Sequence, residues 1–121
     1  MKVMIVGACK LGYKLAEAMN NENIDVTLID VNLKTLERIN NHLDVLTIAA
    51  YGIQIGVLKE LDIETYDLLI AATDDDETNT LICSLAKRIG CKRTVARIRN
   101  PDLTTAIEIE RYLLKNYNFH W

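Results

Sequence analysis

The sequence predicts an α/β fold in which helices cover both faces of a doubly wound parallel sheet of strand order 3-2-1-4-5. Five short segments rich in Val, Ile and Leu alternate with helical patterns, and strands that are apolar on both faces are typical of a parallel sheet covered by helices. A glycine turn ends the first segment, and an acid ends the second. Five successive strand–helix units need right-handed crossovers, which give the doubly wound order.

The elements follow one another in a regular alternation. The first strand is the apolar run that stops at Gly7, the first helical pattern begins near Leu11, and the second strand ends in Asp30. The fourth helix has the clearest 3.6-residue apolar stripe, with Gly90 behind it as the C-cap, and Pro101 fits the first turn of the fifth. We expect strands at residues 2–7, 25–30, 44–49, 67–72 and 93–98, and helices at 11–22, 32–41, 53–61, 75–89 and 101–116.

Size, composition and charge narrow the class of protein. The 121 residues suit a single domain spanning 1–121, and a composition of 50% hydrophobic and 26% charged residues is ordinary for a soluble globular protein. The net charge of −3 gives no basic stripe for nucleic acid, and no apolar run is long enough for direct membrane insertion. The three cysteines are odd in number and lack C-x-x-C spacing, so we expect buried thiols in a reducing cytosol.

The glycine turn is the strongest functional signal. In a Rossmann-like dinucleotide fold, such a turn holds a pyrophosphate at the helix N-terminus. Gly7 permits the tight turn, and Gly12 lets the helix pack close to the sheet. The amides around Cys9, Lys10 and Leu11 then face the phosphates. The motif reads G-x-C-x-x-G, because Cys9 stands at the middle glycine, so we expect weaker phosphate binding. Lys10 is either a positive charge near the phosphates or an exposed lysine.

Asp30 is the candidate ribose ligand. A carboxylate at the end of the second strand accepts two hydrogen bonds from the ribose diol of adenosine and repels a 2′-phosphate. The alternative is that Asp30 only caps the second helix. We favour the ribose role because the surrounding strand–helix–strand pattern is the one that the motif requires.

The acidic run after the fourth strand has two interpretations. Thr73 and Asp74 lie at the mouth of this strand and are candidate ligand contacts. The run resembles a metal site, but Asp74 followed by Glu77 is also a capping box, and we favour capping for residues 75–77. Isolated histidines at positions 42 and 120 give no support for a metal or catalytic site, and Cys9 has no histidine near it in sequence.

Four segments together resemble the TrkA family, the peripheral regulatory proteins of Trk potassium-uptake systems, in their N-terminal RCK or KTN domain. The resemblance covers residues 1 to about 104. Its most specific parts are Thr73–Asn79 and Ala96–Pro101, which ordinary dehydrogenases do not share, and the other two are Met1–Gly12 and Val26–Asp30. Ala50-Tyr51 departs from the Gly-Asp that is common in the family, so Tyr51 is expected to stack on the base or to cover the pocket.

The resemblance implies a cytoplasmic nucleotide sensor that is not an enzyme and lies at the inner face of the plasma membrane. It implies binding of NAD(H) or of ATP and ADP, assembly into a homodimer or a larger ring, and gating of a Trk/Ktr-type potassium transporter. The ligand positions that it implies are Gly7, Ala8, Cys9, Lys10, Leu11, Asp30, Tyr51, Thr73, Asp74 and Arg97, with Gly12 supporting the turn.

The last predicted helix, residues 101–116, carries apolar residues on more than one face. We expect it to be a dimerisation helix with Ile109 and Leu113 as contacts; the alternative is a fully buried helix.

Two other function classes stay open. One is the cofactor domain of an NAD-dependent oxidoreductase, which would need a second lobe carrying a proton-transfer group. The other is a structural module that binds no nucleotide because Cys9 and Tyr51 have closed its pocket.

Overall fold

The computed structural model describes residues 1–51 and 54–99. The predicted last helix, with Ile109 and Leu113, lies outside these residues. The elements are β1 (Lys2–Val6), α1 (Lys10–Asn21), β2 (Asp25–Asp30), α2 (Leu33–Asn40), β3 (Leu46–Ala49), α3 (Ile55–Glu60), a 3-10 turn (Ile63–Thr65), β4 (Leu68–Ala71), α4 (Asp76–Ile89) and β5 (Thr94–Ala96).

The described strands form one parallel sheet of order β3-β2-β1-β4-β5, which confirms the predicted fold class and strand order. In the centre of the sheet, Val6 at the end of β1 pairs with Ile29 of β2 on one side and with Ala71 of β4 on the other. The strand order therefore reverses beside β1. In sheets of this kind, ligands bind in the crevice that opens at this reversal, outside the carboxyl ends of the strands.

Among the described residues, two hydrophobic clusters, one on each face, hold the helices to the sheet. The side chains of β1 lie alternately on the two faces of the sheet, because successive residues of a strand point in opposite directions. Met4 of β1 packs in a cluster with α3 and α4, whereas Ile5 packs in a cluster with α1 and α2. Both side chains are fully buried. Helices α1 and α2 therefore lie side by side on one face of the sheet.

The strands at the two edges are shorter than predicted. The ladder between β2 and β3 begins with the pair Thr27 and Leu46, so residues 44 and 45 precede it, and β5 covers only Thr94–Ala96. The predicted covering of apolar strands by helices is incomplete at the edges of the sheet, where Leu46 of β3 is 59% exposed and Val95 of β5 is 52% exposed. Among the described residues, none of the helices is both long enough and apolar enough to cross a bilayer.

Candidate functional site

The glycine turn passes directly over the end of β4. Gly7 has a φ of +110°, and a Cβ on it would lie 2.9 Å from the carbonyl carbon and oxygen of Ala72. The Gly7 amide donates to the Ile29 carbonyl oxygen at 2.8 Å, which holds the turn beside β2. Only glycine combines this left-handed backbone with so close an approach. The tight turn predicted for Gly7 is confirmed.

Gly12 allows α1 to pack against the turn itself. A Cβ on Gly12 would lie 1.8 Å from the Gly7 carbonyl oxygen. Cys9 is the N-cap of α1, and its side chain makes no capping hydrogen bond. The first N–H groups of a helix have no partner inside the helix and attract anions. Because the first turn of α1 contains no acid, nothing in that turn opposes an anion at these amides.

The Cys9 side chain crosses from α1 to the neighbouring strands. Its thiol donates to the Ala72 carbonyl oxygen, with Sγ and O 2.8 Å apart, and it accepts from Arg97, whose Nη1 lies 3.8 Å from Sγ. The half-buried thiol thus stands between the glycine turn and the Arg97 guanidinium. A pyrophosphate bound at the turn would meet the same guanidinium, because arginine is the residue best suited to hold phosphate.

The Asp30 carboxylate is hydrogen-bonded to the glycine turn. Its Oδ2 accepts from the Ala8 amide at 2.7 Å, and its Oδ1 accepts from the Asn32 amide at 2.8 Å. The N-cap of α2 is Asn32, whose side chain accepts from the Thr35 amide at 3.2 Å. The alternative that Asp30 only caps this helix is therefore wrong. A carboxylate offers about four acceptor positions, so Asp30 retains capacity for a diol.

Asn79 joins the ends of β4 and β5 and was not among the predicted site residues. Its fully buried amide group accepts from the Thr73 amide at 2.9 Å and from the Thr73 hydroxyl. It also donates to the Thr73 carbonyl at 3.0 Å and to the Arg97 carbonyl at 2.9 Å. Asn79 stands one turn before Ile82 and Cys83 on the buried face of α4. Its position as a polar residue on the apolar stripe of α4 was the signal in the sequence that could have identified it.

The predicted capping of α4 by the acidic run is confirmed at Asp75, and Asp76 and Glu77 lie in the first turn of the helix. The capping box of Asp74 with Glu77 is wrong, because Asp75 is the N-cap of α4 and accepts from the Thr78 amide at 2.9 Å and from the Thr78 hydroxyl. These hydrogen bonds hold the pKa of Asp75 below its usual value. Asp74 instead pairs with two arginines at the end of β5. Its Oδ1 lies 3.7 Å from Nη1 of Arg97 and 3.2 Å from Nη2 of Arg99.

The structure brings most of the predicted ligand residues to one place. Around the reversal of strand order lie Gly7, Ala8, Cys9, Gly12, Asp30, Thr73, Asp74 and Arg97. Half-buried Leu11 and exposed Lys10 form the first turn of α1. Tyr51 follows β3 with 60% of its surface exposed, and its contact with a base stays a prediction.

The other candidate groups are separate from this crevice. Within residues 1–51 and 54–99, His, Cys and acidic side chains form no group of three that could hold a metal ion. His42 is exposed just after α2. All three cysteines are free. The prediction of buried thiols is confirmed for Cys83 and Cys91 and is wrong for Cys9, which is half-buried. Burial raises the pKa of the Cys91 thiol.

Replacing Cys9 with glycine tests whether its side chain obstructs a ligand. We expect Cys9→Gly to tighten nucleotide binding about fivefold, or about 1 kcal/mol, because a crowding side chain leaves the path between the turn and Arg97. Glycine is also acceptable at an N-cap, so the stability of α1 should change little. Calorimetric titration of both proteins with NAD gives the result. An unchanged or weaker affinity would show that the turn already accommodates cysteine.

Comparison with known proteins gives a family match over most of the chain. A family model described as the TrkA-N domain matches residues 3–111. The chain is 35% identical over 103 residues to the Trk system potassium uptake protein TrkA of Vibrio alginolyticus, with 84% of this chain aligned. It is also 35% identical over 102 residues to a TrkA homolog of Methanothermobacter thermautotrophicus, again with 84% of this chain aligned. The chain spans only 22% and 47%, respectively, of these relatives' lengths.

A solved structure supports the fold. The NAD(P)-binding domain of an exopolyphosphatase-related protein from Archaeoglobus fulgidus superposes with a TM-score of 0.79. The match covers 88% of this chain and 80% of that one at 17% sequence identity. At this identity the likeness extends to the fold alone.

Proposed function

The chain belongs to the TrkA-N domain family, and from this membership we propose that it is a nucleotide-binding regulatory domain of a potassium-uptake system. One observation carries the proposal. The Asp30 carboxylate and the Arg97 guanidinium contact the neighbouring residues Ala8 and Cys9, directly before the first amides of α1. This is a set of groups suited to a ribose diol and a pyrophosphate.

The proposed ligand is NAD(H), or ATP and ADP. Its adenosine ribose would bind Asp30, and its phosphates would lie against the first amides of α1. Arg97 would then leave Asp74, from which Nη1 is 3.7 Å away, and turn to the phosphates. Asp74 keeps Arg99 at 3.2 Å as a partner after that exchange. A ligand would thus join the β1–α1 turn to the end of β5.

We propose that this joining is a regulatory event and not a catalytic one. The relatives are named as potassium-uptake proteins, and the crevice holds groups that bind phosphate and ribose. The protein would be cytoplasmic, lie at the inner face of the plasma membrane, and gate a Trk/Ktr-type potassium transporter. If no nucleotide binds at millimolar concentration, the chain is instead a structural module whose pocket Cys9 and Tyr51 have closed.

Selection against a 2′-phosphate tests the ribose role. We expect NADP(H) to bind at least about tenfold more weakly than NAD(H), because the Asp30 carboxylate repels the added phosphate. Calorimetry at fixed ionic strength compares the two ligands. In Asp30→Asn the difference should shrink, and circular dichroism of this variant checks that the sheet is intact. Equal affinity of the parent protein for NAD and NADP would remove Asp30 from the ribose role.

Assembly is proposed to run through the segment after β5. Helix 101–116 is predicted to be apolar on more than one face, and each large apolar side chain left in water costs about 1.5–3 kcal/mol. We expect a homodimer or a larger ring, and charged substitutions at Ile109 and Leu113 together should yield monomers with an intact sheet. Light scattering measures the mass. A monomeric parent protein at tens of micromolar, or an unfolded double variant, would contradict the proposal.

A further inference from the structure

A cleft lies between α1 and α2, on the face of the sheet that these helices share. Its volume is about 340 Å³, within the range of small-molecule pockets. One wall is a continuous stripe of α2 and the turn after it, formed by Thr35, Arg38, Ile39 and His42. Residues three and four apart on a helix share a face, so Thr35, Arg38 and Ile39 lie on one side of α2, and His42 follows in the turn after the helix. The opposite wall includes Tyr13 of α1.

The charged side chains that line the cleft are all cationic. The cleft contains the cationic side chains of Lys10 and Arg38, and none of the described residues that line it is acidic. The chain as a whole has 17 acids against 14 lysines and arginines, so an acid-free wall is contrary to the general composition. The apolar part of the lining includes buried Ile39, and Tyr13 and His42 add two rings, which are groups suited to packing against a ring of a ligand.

The cleft adjoins the ribose and phosphate crevice but has recognition groups of its own. Neither Asp30 nor Arg97 lines it, and the residues common to both are Ala8, Cys9 and Lys10. A nucleotide held by Asp30 would therefore leave Arg38 and His42 without a part in its recognition. The cleft has its own cation, its own aromatic groups and its own hydroxyl, that of Thr35.

We propose that this cleft is a second ligand site, which takes a small organic phosphate carrying an aromatic ring. Arg38 and Lys10 would bind the phosphate, because charge-assisted hydrogen bonds from arginine are suited to phosphate oxygens. Tyr13 and His42 would cover the ring, and Ile39 would form the floor. An acidic segment of a partner protein would match the charge of the lining, but the volume of about 340 Å³ is that of a site for a small molecule.

Phenyl phosphate is a probe that separates the two sites. It has a ring and a phosphate group but no ribose diol, so Asp30 gives it no advantage. Amide NMR shifts of the full chain, recorded during titration, identify the residues that it contacts. The expected shifts fall on residues 35–42 and on Tyr13. Inorganic phosphate and phenol, each lacking one half of the probe, should bind more weakly.

Arg38→Gln is the decisive variant, and Lys34→Gln is its matched control on the same helix. Both side chains are exposed, and Lys34 does not line the cleft. Arg38→Gln should weaken phenyl phosphate binding about tenfold, through loss of a charge-assisted contact, whereas Lys34→Gln should change it less than about twofold. Equal losses in the two variants, or shifts confined to residues 72–76 and Arg97, would overturn the proposal. Titration with NAD runs in parallel, so failure of the ribose crevice is recorded independently.

Discussion

Replacing Gly12 with alanine is expected to destabilise the domain by about 3 kcal/mol or more, because the new methyl group overlaps backbone. Its Cβ would lie 1.8 Å from the Gly7 carbonyl oxygen, and no side-chain rotation relieves that contact. Helix α1 must then move away from the turn, which separates its first amides from the crevice. We therefore expect nucleotide binding to be lost together with stability. Chemical denaturation and NAD titration measure the two effects.

Gly56→Ala is the matched control for Gly12→Ala. Gly56 lies in α3, and a Cβ added there meets nothing within 4 Å. Alanine has a higher helix propensity than glycine, so this change should stabilise the protein by up to about 1 kcal/mol. If Gly12→Ala retained parent-like stability and NAD affinity, close packing of α1 on the turn would have no importance for either property.

The second large effect is expected at Asn79. Asn79→Ala removes every hydrogen bond that its fully buried amide makes, and it takes this partner from the half-buried Thr73 amide and from the Thr73 and Arg97 carbonyls. We expect a loss of about 2–4 kcal/mol in the free energy of unfolding, because each unpaired buried group costs about 1–3 kcal/mol. The ends of β4 and β5 should also separate, so NAD affinity should fall. Denaturant titration and calorimetry provide both measurements.

Two further variants test whether the loss of stability in Asn79→Ala comes from its buried hydrogen bonds. Asn40→Ala removes an exposed asparagine whose amide donates to the Thr47 hydroxyl at 2.7 Å, and it should cost at most about 1 kcal/mol. Asn79→Asp keeps the size but replaces the two donors of the amide by acceptors, so it should destabilise as much as alanine or more. Equal costs at positions 40 and 79 would contradict a joining role for Asn79.

Local patterns in the sequence were sufficient for the sheet and for the glycine turn. The strand order depends on alternation and handedness, and the backbone demands at Gly7 and Gly12 are specific to glycine, so both were predictable. The identity of the N-cap residue of α4 was not predictable from the sequence. Asp74 and Asp75 are equivalent as neighbours in sequence, and what distinguishes them is the pairing of Asp74 with Arg97 and Arg99 from the end of β5. Such contacts between distant segments leave no local pattern.

The contacts of Asp30 and of Asn79 were predictable to different degrees. The position of Asp30 followed from the motif, but its hydrogen bond to the Ala8 amide depends on how closely the turn approaches β2. Asn79 had a visible signal, a polar residue on the stripe that continues to Ile82 and Cys83. The sequence shows that such a residue needs buried partners, but only the folded chain identifies them as Thr73 and Arg97.

The hydrogen bond from Asn79 to the Arg97 carbonyl has a consequence for binding kinetics. The main chain on both sides of the crevice is already held, by Asp30 at Ala8 and by Asn79 at Arg97. The adjustment left for a ligand is then confined to side chains, chiefly rotation of half-buried Arg97 away from Asp74. Association of a nucleotide should therefore occur in one step at a rate set by diffusion and orientation. Differences in affinity among variants of the crevice should then appear as differences in residence time.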